Sequence, residues 1–593
     1  MHKKNSIFIM LFVLGIGLIT FCFNVIGFKF LYFPGDLGDG RLVMYFLEHA
    51  HKFFLGEVSS FWNAPFMFPE KDVISYSENM IGSAPIYSLF RIMGFDTFKS
   101  YQLWFVVVSA LNFITAFYFL KYVFKDNYAA VLGAFVFAFS LAIQSQLTHA
   151  QTFPRYAIPL AFLMVVKFSE ELKPKYFFYT LLFIVYQIYC GIYLGFMLAV
   201  PIGIFLLLII IREVFFEKKA IFNLKWFLQI AAYGILNILI LLPLMLPYMA
   251  RKITPGFEHF KQIFHTIPAL KSHFFSQEGS LIWDFLSKTG KNYPAWWDHQ
   301  IFAGGIATLC LIIGIFWLVS KLIKTKFNLG SLSNPLLLIF TSLITFLLYL
   351  RFYEISAYIF VYFLPGYSSM RSVTRIINIQ LIFFAIATAY VFSKIFERNV
   401  KYKPLIFLVA LTLVIFDNYF FENKSYKTKV SIAKERTDKI ENAFAQIPAG
   451  SVVSYEPVEL NNRGYIYNID AMLAAQKHNL IAINGYTATC PGDYGMYWNH
   501  PNEESRNYWL SNKQIDHDTI YIVRASDIIE PIAVKDLQND FKAAQKKKLE
   551  NTINSIRSHE GWMKGIEERA LERNIPVDSM VIIEAKWLIR HRN

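Results

Sequence analysis

Charged side chains are scarce in this sequence. They make up 17% of its 593 residues, where a soluble domain carries about a quarter, and the shortfall excludes an ordinary water-soluble fold. Cysteine is scarce too, with four in all. Cys22, Cys190 and Cys310 fall in or beside apolar runs and Cys490 stands alone in the tail, so the tail holds no internal disulfide, and no cysteine spacing suggests a metal site. There is no P-loop and no zinc-type histidine pattern, and a nucleotide-sugar fold is not visible. Solenoid-type repeats and low-complexity segments are missing as well.

Apolar residues fill the space left by charge, at 55% of the chain, with 18% aromatic and 60 phenylalanines. They come in blocks of about 18 or more, the length that crosses roughly 30 Å of hydrocarbon. Backbone in lipid must close its own hydrogen bonds, so such blocks are expected to be helices. The expected spans lie near 6–28, 101–124, 128–146, 154–168, 176–190, 191–211, 226–250, 300–320, 334–351, 373–396 and 404–421. The block 176–211 is too long for one crossing, and Gly191 and Gly195 near its middle predict a turn. The short run 354–366, ending in Pro365-Gly366, is expected to be re-entrant or interfacial. The N-terminal run from Ile7 to Phe28 is longer than a signal-peptide core and lacks a small-x-small cleavage site, which predicts an uncleaved first span.

Basic residues support this count of about eleven. One set of alternate loops carries Lys121 and Lys125, then Lys167, Lys173 and Lys175, then Arg212, Lys218, Lys219 and Lys225, then Lys321, Lys324 and Lys326, then Lys394, Arg398, Lys401 and Lys403. The short opposite loops are nearly bare apart from Arg155. With a cytoplasmic N-terminus, loops 29–100 and 251–299 and the tail face outward. The net charge of +14 is then an orienting device against anionic lipid, and no nucleic-acid partner is implied. The expected organisation is a transmembrane domain over 1–422 and an extracytoplasmic α+β domain over 423–593. In the tail, Ser451–Tyr455, Thr519–Val523 and Ser579–Ile582 read as strands, and 429–444 and 535–573 as helices, the latter divided near His559.

Chemistry-bearing residues gather on the outward side. Directly after the first span comes Pro34-Gly35-Asp36-Leu37-Gly38-Asp39-Gly40-Arg41. Two carboxylates among glycines can act as a general base toward a hydroxyl or hold a divalent cation, although Asp39 is also placed to cap a helix. That helix, over 39–54, has apolar Leu42, Phe46, Leu47 and Phe53 at helical period and is expected to lie along the membrane surface. Ser77-Glu78-Asn79 adds a carboxylate and an amide; His149, Gln151 and Arg155 occupy the next short outer loop; Arg371 and Arg375 flank a later span. Guanidinium groups suit phosphate, so cations and carboxylates on one face predict an anionic, lipid-linked ligand. In the tail, Gln476, Asn484, Tyr486 and Trp498 are residue types that contact sugars.

This pattern resembles the GT-C superfamily of integral membrane glycosyltransferases, and more specifically bacterial GT-C-like, YfhO-like membrane proteins. The similar pieces are Gly35 to Arg41, Leu47-Glu48-His49, Ser77-Glu78-Asn79, Gly82-Ser83-Ala84-Pro85-Ile86-Tyr87 and Asn484-Gly485-Tyr486. The resemblance implies an α-helical polytopic fold with a C-terminal soluble α+β domain. It also implies sugar transfer from a polyprenyl-phosphate-linked donor to a glycan, lipid or protein acceptor of the cell envelope. Asp36 or Asp39 is then the catalytic carboxylate, with Glu78, Asn79, His149, Gln151, Arg155, Arg371, Arg375, Gln476, Asn484 and Tyr486 as substrate contacts. Some members use a divalent cation and others none; a Mg or Mn ion, where present, falls to Asp36, Asp39 and Glu78. Glu78 stands where related sequences often carry Asp. A flippase of lipid-linked saccharides and a non-catalytic glycan-assembly protein are the alternatives. A transporter places ionisable groups at mid-membrane, whereas this chain keeps most of its charge outside the spans.

Overall fold

The computed structural model describes all residues except Met1, 218–222, 252–255, Asn462, Asn512, 526–527 and 592–593. Lys218 and Lys219 of the basic set therefore lie outside the described residues. The chain is a mostly helical membrane protein with a small amount of sheet toward its C-terminus. Among the described residues, seven helices are long and apolar enough to cross a bilayer: Ser6–Ile26, Thr97–Phe124, Asn127–Thr148, Ile192–Phe216, Leu224–Ala250, Gly305–Lys324 and Val373–Arg398. Shorter helices, Ala157–Glu171, Pro174–Cys190, Asn334–Leu348 and Lys403–Asn418, stand at the other four expected places. The long block breaks where expected. Gly191 is extended between Pro174–Cys190 and Ile192–Ile211, and a Cβ on Gly195 would lie 2.2 Å from the Ile188 side chain.

Burial sorts these helices. Asn127–Thr148 and Val373–Arg398 are 94% and 89% buried, so they form the centre, whereas Leu224–Ala250 at 11% faces outward. Small residues bring the central pair together. A Cβ on Gly133 would meet the Ala385 carbonyl at 2.5 Å.

The chain divides into two compact units, one of residues 1–64 and 72–435, the other of 65–71 and 436–593. In the first unit, the helix Asp39–Phe54 forms as its period predicts. Its residues from Gly40 to His51 are buried by protein. Glu48 accepts from Arg91 Nε at 2.8 Å, Arg91 Nη2 at 3.1 Å and Tyr87 OH at 2.7 Å. Its polar face is therefore satisfied by side chains, where the period alone could not tell protein from headgroups.

In the second unit, a four-stranded sheet runs in the order Ile481–Ala482, Val452–Tyr455, Thr519–Ala525, Ile528–Ala533. The first three strands are parallel and the last antiparallel. Residues 65–68 run beside the short edge strand: Ala482 N–H donates to Pro65 O and Phe68 N–H to Ala482 O, at 3.0 and 3.1 Å. Ile440, Phe444, Val453 and Leu480 fill the core between the sheet and the helices Val430–Phe444 and Gly464–Lys477. The helices Val534–Arg557, Glu560–Glu572 and Val577–His591 share a separate core around Ile556, Ile566 and Val581. The strand expected at Ser579–Ile582 is corrected to helix. A four-residue apolar run does not distinguish the two periods, and Met580, Val581, Ala585 and Leu588 recur at helical spacing against that core.

Candidate active site

The first span delivers its loop onto a staple. Tyr32–Pro34 pairs antiparallel with Lys427–Lys429, Gly35 N–H donates to Tyr426 O at 3.2 Å, and Thr428 Oγ1 donates to Gly35 O at 2.9 Å. Gly35 sits at φ +104°, and a Cβ there would lie 3.1 Å from Leu147 O. A glycine is required on both counts, and it lets the 146–152 loop approach the carboxylates.

Asp36 accepts from Gly38 N–H at 2.9 Å, and the residue is exposed. Surrounding protein, then the charge of Asp39, holds its carboxyl above the usual carboxylate range. The capping role expected of Asp39 is corrected. Asp39 is the first residue of its helix and makes no cap bond; Asp36 takes a nearby backbone N–H instead. Asp39 Oδ2 faces His149 Nδ1 at 3.4 Å and accepts from Gln151 Nε2 at 3.5 Å.

His149 is the pivot. Two single-turn 3-10 helices, Gln146–Thr148 and Ala150–Thr152, hold it between them. Its Nε2 lies 3.5 Å from Asp298 Oδ1, and Arg375 Nη2 lies 3.4 Å from its Nδ1. Ser372 Oγ donates to Asp298 Oδ2 at 3.3 Å. Burial and Arg375 push the imidazole down, but the bonds to Asp298 and Asp39 outweigh them and leave its pKa above the ordinary histidine value. The two carboxylates respond in the opposite sense. Burial raises each, and His149 and Arg375 together bring each below its usual range. The cluster thus sets an imidazole of raised pKa and a guanidinium against two carboxylates of lowered pKa, with the exposed Asp36 beside Asp39.

Glu78 joins from the same loop. Its Oε2 accepts from Ile192 N–H at 2.5 Å, at the start of Ile192–Ile211. Burial pushes its carboxyl up to about 7, against Arg375 and the backbone N–H groups of Ile192 and Tyr193. Arg375 lies over the Tyr193 ring, 5.4 Å from its centroid. Arg371 N–H donates to Tyr193 OH at 3.3 Å, and the Arg371 side chain is exposed.

Other expected contacts do different work. Asn79 is buried and spends its amide on Ile188 O and Ile81 N–H, at 3.1 Å each. Arg155 is buried against the Phe137 ring and reaches Phe137 O and Ala138 O at 3.3 and 3.5 Å, at the C-terminal end of a helix, where a cation is favourable. In the C-terminal unit, Asn484 bonds Tyr455 N–H and O at 2.7 and 3.0 Å and Asn468 Oδ1 at 3.0 Å. Gln476 is buried. Tyr486 stacks on Tyr465 with centroids 4.8 Å apart and meets Trp498 edge-on at 5.4 Å.

The carboxylates expected to share a cation, Asp36, Asp39 and Glu78, do not form a metal cage. Among the described residues, no group of three or more His, Cys, Asp or Glu is arranged to hold a metal ion. Asp39 and Asp298 lie on opposite ring nitrogens of His149, so the imidazole takes the place between them. Asp298, Ser372 and Tyr193 were not singled out in the sequence. For Asp298 the signal was a lone acid after Trp296-Trp297 in a loop between apolar runs.

The chain matches no protein-family model and no curated protein. Solved structures of GT-C membrane glycosyltransferases do match it. The apo oligosaccharyltransferase of Archaeoglobus fulgidus is 13% identical, over 86% of this chain and 69% of its own, with a TM-score of 0.48. The arabinofuranosyltransferase AftD from mycobacteria is 14% identical, over 76% of this chain and 29% of its own, at 0.42. ArnT from Cupriavidus metallidurans is 10% identical, over 88% of this chain and 93% of its own, at 0.40. At these values the likenesses carry no residue across to this chain.

Proposed function

We propose that this chain is a membrane glycosyltransferase that moves a sugar from a polyprenyl-phosphate-linked donor to a cell-envelope acceptor. In this reading it is a bacterial inner-membrane protein with about eleven spans, a cytoplasmic N-terminus, and its site and C-terminal domain extracytoplasmic. The observation that carries the proposal is the open, raised carboxyl of Asp36 beside the cation-flanked Asp39, at the end of the first span.

The two acids divide the work by environment. Asp36 takes the proton of the acceptor hydroxyl as that oxygen attacks the anomeric carbon. A carboxylate with the higher proton affinity is the better base. The bond from the anomeric carbon to phosphate oxygen breaks with its electron pair leaving on the phosphate. Arg375, with Arg371 nearby, meets that charge. Asp39, ionised by His149 and Arg375, keeps these cations oriented. A flippase would carry these charges at mid-membrane, whereas here they sit on loops and helix ends.

The test is donor turnover by purified protein in nanodiscs, with a panel of radiolabelled polyprenyl-phosphate sugars. Asp36→Asn is expected to lower turnover by about 10²–10⁴, the range for losing a general base, with the variant still folded. Turnover untouched by both Asp36→Asn and Asp39→Asn overturns the proposal.

A further inference from the structure

We infer that segment 351–366, together with the helix Phe257–Phe264 packed on it, is a membrane-dipping element whose aromatic face lies in the lipid interface beside the candidate site. The inference rests on the membrane placement of the chain and not on the glycosyl-transfer reading.

The segment begins with a tight hairpin, Arg351–Phe352 paired with Ile355–Ser356, and continues as a short helix, Tyr358–Tyr362. Its large apolar side chains point away from the protein. Phe352 is 52% exposed, Tyr353 96%, Ile355 75% and Phe360 75%. Phe257 on the neighbouring helix is 65% exposed. Exposed apolar clusters of this kind mark a surface that something covers.

The structure indicates what covers it. The hairpin follows directly on the apolar helix Asn334–Leu348, and the segment leads into Val373–Arg398. Both of its ends are therefore tied to apolar helices, at the level where they leave hydrocarbon. The composition sets the depth. Tyr353 and Glu354 form the hairpin tip, and a tyrosine beside a single exposed charge suits the headgroup layer and not the acyl core.

The element is held as one piece. Tyr362 OH lies 2.9 Å from His259 Nδ1 and donates to Gly256 O at 3.1 Å. Phe257 packs on Phe363 with centroids 5.6 Å apart, and Phe260 on Tyr362 at 5.1 Å. Each half continues into the site. The loop bearing Phe257–Phe264 ends at Asp298, and segment 351–366 leads to Ser372 and Arg375. Two bonds fasten the junction to Ile192–Ile211: Tyr367 OH donates to Phe196 O at 2.6 Å, and Tyr193 OH to Ser369 O at 3.1 Å. A headgroup-level element would thus hold the Asp298–His149–Arg375 cluster at the membrane surface, where a lipid-borne phosphate arrives.

The test reads lipid contact directly. Cys22, Cys190 and Cys310 are buried, so a Cys490→Ser background leaves one introduced thiol to label. Tyr353→Cys and, separately, Phe360→Cys carry a fluorophore in full-length protein in nanodiscs. They are quenched either by phosphatidylcholine with a shallow doxyl group or by aqueous iodide. Loss of emission to the doxyl lipid, with little loss to iodide, is expected at both positions. Loss to iodide alone places the element in water and overturns the inference. Protection from both quenchers means that protein covers the face, a second copy included, and also overturns it. Two positions keep the test readable if one variant misfolds.

Discussion

Asp298→Asn tests whether His149 is held as a cation by carboxylates on both of its nitrogens. The substitution keeps the size and the contact to Ser372 Oγ but removes one of two anions that offset the imidazolium and Arg375. A fully buried ion pair that loses one partner costs about 3–5 kcal/mol. Here the separation is 3.5 Å, and the two side chains keep 18% and 15% of their surface, so the expected cost is nearer 1–2 kcal/mol, toward the value of a partly exposed pair. The pH dependence separates this loss from a packing effect. His149 has a raised pKa when folded, so its contribution is complete below the unfolded histidine value and is lost as pH rises through the folded value. Asp39 and Asp298, with lowered values, contribute above the usual carboxylate range and lose that contribution as pH falls through their folded values. Wild-type protein in nanodiscs should therefore show a stability plateau between these limits. In Asp298→Asn the alkaline edge should move to lower pH, and the difference between the proteins should shrink where His149 is neutral in both. Thermal unfolding followed by intrinsic fluorescence across pH is the assay. An alkaline edge that stays in place, or a deficit that grows with pH, refutes the charge account.

Two further substitutions test packing. Gly133→Ala should weaken the contact between the helices bearing Gly133 and Ala385 by about 1–3 kcal/mol, the usual cost of overpacking, because the new methyl would meet the Ala385 carbonyl at 2.5 Å and Leu120 Cδ1 at 2.6 Å; unchanged thermal stability would show that these helices yield freely. In the C-terminal unit, Glu456→Gln should destabilise by about 3–5 kcal/mol. It leaves Arg506, which is 1% exposed, without its carboxylate partner, and the loss should be visible in denaturant unfolding of the purified protein; a midpoint unmoved from wild type would show that Arg506 is neutralised elsewhere.

The parts of the fold visible in the sequence were those set by local chemistry. Apolar length located the helices, Gly191 marked the break in the 176–211 block, and helical period from Leu42 to Phe53 marked the first-loop helix. What period could not show was the material on the other side. The polar face of Asp39–Phe54 meets Arg91 and Tyr87, residues that only tertiary folding brings near. The site divides in the same way. Glycines around two acids drew attention to Asp36 and Asp39, and the cations in the loops led to His149 and Arg375. Asp298 and Ser372 went unseen because each acquires its role from long-range contacts. The capping assignment failed for a finer reason. Asp39 is itself the first residue of the helix and makes no cap bond, and Asp36 accepts from Gly38 N–H ahead of it.

Residues 65–71 have an uneven history. They are synthesised soon after the first span yet fold as part of the unit that closes the chain, beside Ile481–Ala482 and with Phe68 O accepting from Trp509 Nε1 at 2.7 Å. At about 5–20 residues per second, their partners emerge on the order of tens of seconds later. Through that interval the stretch between Asp39 and Glu78 lacks its final anchor. Shortening the protein from its C-terminal end would therefore not release a free-standing module. It would strip the support from a segment embedded in the loop that carries the candidate base.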